Sequence, residues 1–170
     1  MMKQVSFADA MKWKYPEWII LVVSVDEKQQ VNVMPAGWAM ICSGDPAMFA
    51  VAINRHNYTH EVIAKQREFV VAFPSREMEA DILYCGTHSG RDGSKLEHTN
   101  LETTPATAIQ TPLLKNCRLN LECKLVDQIA TGDHSIFAGQ VMVAHIDKAA
   151  PPNLVNFGNH TFAVAQPESS

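Results

Sequence analysis

The run from Arg118 to Val126 most narrows what this chain can fold into. Leu119, Leu121, Cys123 and Leu125 alternate there with Arg118, Asn120, Glu122 and Lys124. Period two is the signature of a strand, in which successive side chains point to opposite faces; on a helix the same set would scatter around the axis. Thr131-Gly132-Asp133-His134 then supplies a turn. Ile136 to Ile146 continues as a long strand carrying Phe137, Val141, Met142 and Val143. Two long strands joined by a tight polar turn predict an antiparallel hairpin.

Shorter segments repeat the pattern. Trp18 to Val25 is apolar and β-branched, Asp26 to Gln30 is polar, and Val31 resumes, which predicts a second hairpin. Met48 to Ile53, after Gly44-Asp45-Pro46, is apolar at every position, as in a strand buried on both faces. Phe69 to Phe73 reads as another strand. Thr59 is placed to cap a short helix through Gln66 with Val62 and Ile63 inward. Pro74-Ser75 opens a second helix bearing Met78, Ile82 and Cys85, with Gly86 suited to the left-handed position past its end. A polar loop follows from Thr87 to Ser94. After Pro151-Pro152, Phe162 to Ala165 is either an edge strand or a dimer arm, and Gln166 to Ser170 is expected to fray. Short strands, Gly- and Asp-rich turns and few helices predict a mainly β fold, an antiparallel barrel with short peripheral helices.

Composition removes several function classes. With 170 residues, 46% apolar and 19% charged, the chain suits one globular domain over residues 1–170. A net charge of −4 with 14 Lys and Arg forms no basic patch, so no nucleic-acid partner is expected. The longest apolar run, Trp18 to Val25, falls far short of the roughly 20 residues that span a bilayer. The N-terminus has no signal-peptide block, so a cytoplasmic protein is expected, with no membrane partner. Cys42, Cys85, Cys117 and Cys123 form no Cys-x-x-Cys pair. Cys117 and Cys123 share the parity of the apolar face and read as buried thiols. His56 and His60 stand at i, i+4 but lack a third ligand at usable spacing, so no metal is expected. Neither a Gly-x-Gly-x-x-Gly nor a Walker-type loop occurs.

Other segments are too rich in small and polar residues for plain connections. They are Asn32, Val33, Met34, Pro35, Ala36, Gly37, Trp38 and Ala39; Asp45-Pro46; Asn54 and Arg55 through Thr59 and His60; Ser89-Gly90-Arg91-Asp92-Gly93-Ser94-Lys95; and Gly132-Asp133-His134 before Phe137-Ala138-Gly139. In this order and spacing, from about Pro16 to Ile146, the chain resembles the flavin reductase-like, FMN-binding split-barrel family that includes the flavoredoxins. The resemblance implies an FMN-binding split barrel, a homodimer whose partner closes the flavin site, and a non-covalent FMN.

Physical needs run parallel to the resemblance. FMN carries a dianionic phosphate, a polar ribityl chain and a flat ring whose edge needs donors and whose faces need apolar cover. Pro35, Ala36 and Gly37 let a backbone lie close to a ring, and Trp38 either packs on it or anchors the loop. Some family members carry Ser or Thr where this chain has Ala36 or Ala39, leaving backbone groups to meet the ring. Arg55, Thr59, Ser89 and Lys95 are the expected phosphate set, helped by the helix dipole at Thr59. The resemblance implies that Asn54, Thr59, Ser89 and Lys95 line the phosphate and ribityl end, and that His134 lies near the flavin and the nicotinamide. His134 would align a donor rather than relay a proton, because hydride transfer to a flavin depends mainly on alignment. The implied activity is that of an oxidoreductase moving a hydride or electrons from NADH or NADPH to bound flavin. The alternatives are a flavoredoxin-type carrier fed by a redox protein without nicotinamide, and a non-catalytic flavin-binding module.

Overall fold

A computed structural model describes residues 2–164. The expected fraying of Gln166 to Ser170 lies outside them. A short helix, α1 (Phe7–Met11), leads into β1 (Glu17–Trp18), β2 (Ile20–Val25), β3 (Val31–Ala36), β4 (Ala39–Gly44) and β5 (Ala47–Asn54). Helix α2 (Tyr58–Gln66), β6 (Glu68–Phe73) and α3 (Glu79–Thr87) follow. Two short strands, β7 (Thr103–Thr104) and β8 (Leu113–Leu114), precede the long β9 (Leu119–Ala130) and β10 (His134–Ile146). The chain closes with β11 (Leu154–Asn156) and β12 (Phe162–Val164).

Seven strands form one antiparallel sheet in the order β3-β2-β6-β9-β10-β5-β4. Both expected hairpins are present: Ile20 pairs Ala36 in β2–β3, and Ser135 pairs Ala130 in β9–β10. Register shifts at Ala138/Gly139 and Val141/Val143 mark bulges, which bend and twist a long ribbon as a curled sheet requires. Phe162 to Val164 is an edge strand of a small second sheet, ordered β1-β11-β12.

Every residue of β2 is buried because the sheet has a core on each face. Ile20, Val22, Phe69, Val71, Cys123, Leu125 and Phe137 pack inside the curl, where Ile63 of α2 joins them. Ile19, Leu21, Val23, Val70 and Ala72 face the other way, under α3 and the excursion between α3 and β9. The polar positions of β9 therefore are not all solvent positions: Asn120 and Glu122 are buried beneath that excursion.

Several expectations need correction. Cys117 precedes β9 and packs in the outer core, so it does not share a face with Cys123; both are buried free thiols. Met48 and Ala52 are only partly buried, because β5 has just the edge strand β4 beyond it. Helix α2 begins one residue before Thr59, with Asn57 at the cap position. Gly86 lies within α3 rather than past its end, and its role is close approach: a Cβ there would stand 3.1 Å from Pro35 Cγ.

Candidate functional site

The uncapped start of α2 opens a polar cleft of about 410 Å³ between α2, β3 and the segment after α3. Asn57 supplies no side-chain cap, and its amide nitrogen lies 3.2 Å from Met34 Sδ instead. First-turn N–H groups of a helix have no i−4 partner; His60 N turns to Asn57 O at 3.1 Å, which leaves the Tyr58 and Thr59 amides, on two residues that line the cleft, at the positive end of the helix dipole. Thr59 is not the cap: its hydroxyl accepts from Asn32 Nδ2 at 2.8 Å, below the cleft floor. That bond leaves Asn32 Oδ1 buried without a partner, against Gly90.

The far wall is the segment Ser89-Gly90-Arg91. Ser89 Oγ accepts from Arg91 N at 3.2 Å, and Gln30 Nε2 donates to Gly90 O at 3.0 Å, which ties the loop back to the β2–β3 hairpin. Arg91 crosses to α2, donating to His56 O at 2.9 Å and to Glu61 Oε2 at 3.2 Å, with its guanidinium 5.3 Å over the Tyr58 ring. The Tyr58 hydroxyl donates to Asp26 at 2.7 Å. Burial and then that carboxylate push the phenol up to about 12, so it stays a neutral donor. His88 stacks on Tyr84 at 3.9 Å, its Nδ1 3.0 Å from Tyr84 O.

Of the sequence-derived set, Asn32, Met34, Pro35, Thr59, Ser89, Gly90 and Lys95 line this cleft. The Lys95 ammonium points inward, donating to Val33 O and Cys85 O at 2.8 Å each, and burial lowers its pKa. Burial likewise pushes the Cys85 thiol up to about 11, so it is an inert part of the wall. Val33 faces the outer core. Ala36 and Gly37 border a second hollow of about 400 Å³ that shares Pro35, Gly86 and Thr87 with the cleft. Because Gly86 has no side chain, the backbone of α3 approaches Pro35 where the two hollows meet.

The remaining candidates sit elsewhere. Gly37, Trp38 and Ala39 border an apolar cavity of about 590 Å³ with Trp18, Met40 and α1. Trp38 lies against His134, ring centroids 4.7 Å apart. His134 Nδ1 is 2.7 Å from Asp133 Oδ1, and this bond is the main reason the Asp133 carboxyl is held below its usual range. A carboxylate has no proton to give, so Nδ1 is the donor in this bond. Asn54 faces His134 across the β5–β10 pairing and accepts from His56 N at 3.0 Å. The Arg55 guanidinium turns to Thr131 O, and His60 packs on Phe137 with Nε2 3.0 Å from Ser135 Oγ. Sequence reasoning missed Tyr58, His56 and His88 as cleft residues and assigned no role to Arg91; the uncapped helix start that would have flagged them is not encoded by any motif.

Residues 13–165 match the model of the flavin reductase like domain. An uncharacterised protein of Archaeoglobus fulgidus is 38% identical over 138 residues, covering 81% of this chain and 77% of its own. The NADH-dependent FMN reductase AsuE2 of Streptomyces nodosus subsp. asukaensis is 27% identical over 137 residues, covering 81% of this chain and 73% of its own. Flavoredoxin of Desulfovibrio vulgaris (Miyazaki F) superposes with a TM-score of 0.86 at 24% identity, covering 99% of this chain and 96% of its own. No helix among the described residues is long and apolar enough to cross a membrane. On the extent of the domain match and the close relative, the chain belongs to the flavin reductase-like domain family.

Proposed function

We propose that this chain binds FMN non-covalently, with the phosphate at the α2 start and the ring toward Ala36 and Gly37, and that it takes electrons from NADH or NADPH. The observation that carries this reading is the uncapped α2 N-terminus facing Ser89 and Arg91 across the cleft. Helix amides, a hydroxyl and a guanidinium are the donor set that a phosphate dianion needs. Flavin supplies the hydride and one-electron chemistry. The chain's own residues bind and orient: Asn32 and Thr59 brace the cleft floor, Pro35 and Gly86 bound the passage toward the ring end, and the His134 ring lies against Trp38.

The reading includes a second copy of the chain over the apolar face. Trp18, Trp38 and Met40, which border the same apolar cavity, are 51%, 49% and 59% exposed, an apolar surface of the kind that marks an interface. Covering it would bring partner groups beside Trp38 and His134. Sedimentation should give a dimer; a monomer with a full complement of FMN would remove the partner from the site. The functional test is a visible spectrum of the purified protein with added FMN, followed by anaerobic NADH and NADPH. A flavin band bleached by either nicotinamide supports the reductase. Bound flavin that resists both supports a carrier fed by a redox protein, and no bound flavin overturns the proposal.

A further inference from the structure

Gly37 follows β3 and borders both the second hollow and the apolar cavity. The Glu17 carboxylate of β1 lies against its backbone. A Cβ at Gly37 would collide with Glu17 Oε1 and stand 2.7 Å from Cδ and 3.3 Å from Oε2. Gly37 is not among the described residues of positive φ, so what the glycine provides is room for that carboxylate.

Glu17 is held there from two sides. In the β1–β11 pairing it faces Asn156, whose Nδ2 lies 3.5 Å from Glu17 Oε1 and which itself borders the second hollow. The Lys14 ammonium, from the turn before β1, pairs with Glu17 Oε2. These two residues are the only charged ones bordering the apolar cavity, with side chains 32% exposed for Lys14 and 13% for Glu17. Drawing charges out of water is costly, and an ion pair so placed is weak evidence for stability. It acts instead on its neighbours, because Coulomb energy grows as the surroundings become less polar.

Reduction adds negative charge to a flavin ring, so a fixed carboxylate beside the ring opposes it and an ammonium favours it. The three atoms nearest a Cβ at Gly37 all belong to Glu17, so the carboxylate is the closer charge. Resting on the reading that FMN lies with its ring toward Gly37, we propose that Glu17 lowers the reduction potential of the bound flavin and that Lys14 moderates the effect. The reduced protein is thereby a stronger electron donor than the same site without the carboxylate.

The experiment is an anaerobic titration at neutral pH of the FMN-loaded full chain, Glu17→Gln and Lys14→Met against indicator dyes of known potential. Glu17→Gln should favour the reduced form about 10- to 100-fold, a rise of about 30–60 mV for a two-electron couple. Lys14→Met should move the same equilibrium the opposite way and by less, since its charge is the farther and the more exposed of the two. Both variants lose the same ion pair, so a purely structural role would move the two potentials in one direction or leave both in place, and either result overturns the assignment. Should Glu17→Gln fail to fold, the sign in Lys14→Met decides: a potential that does not fall overturns the role. A wild-type chain that binds no FMN overturns the FMN reading and this role with it, whereas bound FMN with unmoved potentials overturns this role alone.

Discussion

The cleft and the excursion between α3 and β9 are built from the same kinds of groups put to opposite ends. At the cleft, a helix start has no side-chain cap, Ser89 and the part-exposed Arg91 line the wall, and a buried Asn32 oxygen has no partner. Under the excursion, two glutamates on neighbouring strands take a run of backbone amides. Glu122 accepts from Thr107 N at 2.8 Å and Ala108 N at 2.6 Å, and Glu68 Oε1 accepts from Gln110 N and Thr111 N at 2.8 Å each. His145 adds a 2.6 Å contact to Glu122, and the Asn120 amide bonds both N and O of Leu114. Polar groups whose partners lie within the chain hold the fold. Those whose partners are missing are available to a ligand.

The largest effect should come from breaking the satisfied side. Glu122 is fully buried, and Glu122→Gln must set an NH₂ against a backbone N–H or against His145. Leaving a buried amide without its carboxylate acceptor costs about 1–3 kcal/mol, more where the lost acceptor was charged, a large part of the stability of an ordinary domain. Urea unfolding should show that loss as a lower midpoint. A variant with wild-type stability would mean that the excursion is held by its apolar residues Leu101, Ile109 and Leu113 alone.

A smaller effect, of a different kind, is expected at the open side. A Cβ at Gly90 would collide with Asn32 Oδ1 and stand 2.8 Å from Tyr58 Cδ1. Gly90→Ala therefore has to lift the 89–91 loop or turn the Asn32 amide that holds Thr59. Overpacking of this size costs about 1–3 kcal/mol. Because the loop is tied down mainly by Gln30 and Arg91, the cost should fall on FMN affinity more than on the unfolding midpoint. Loss of stability with unchanged FMN binding would detach this loop from the site.

How much of this contrast the sequence carried differs by element. The alternation of β9 and the turn at 131–134 announced the long hairpin, because strand periodicity is local. The landmark segments placed Asn32, Pro35, Thr59, Ser89 and Gly90 in one cleft. The directions of long side chains were not legible: Lys95 and Arg55 each had a polar loop at hand, and the choice between a ligand and a carbonyl is made by tertiary neighbours. Nor did the period-two pattern show that Asn120 and Glu122 would be covered, since what covers them is a separate stretch of chain. Thr59 looked like a cap for a similar reason: its competing partner, Asn32, comes from another strand.

The smallest effect separates the two regions by pH. Burial alone would raise the Glu122 carboxyl, but the Thr107 and Ala108 amides and then His145 outweigh it, and its pKa falls below the ordinary carboxylate value. A carboxyl depressed on folding adds stability that is fully present above its unfolded value, about 4.3, and is lost as pH falls through the folded one. Protection of the Thr107 and Ala108 amides, measured against their intrinsic exchange rate, should therefore fall on acidification below that value while the sheet is still protected. In Glu122→Gln the same amides should exchange fast at neutral pH and gain little more in acid. If exchange at 107–108 tracks global unfolding at every pH, the carboxylate clamp has no separate opening and the excursion is simply part of the sheet's cooperative unit.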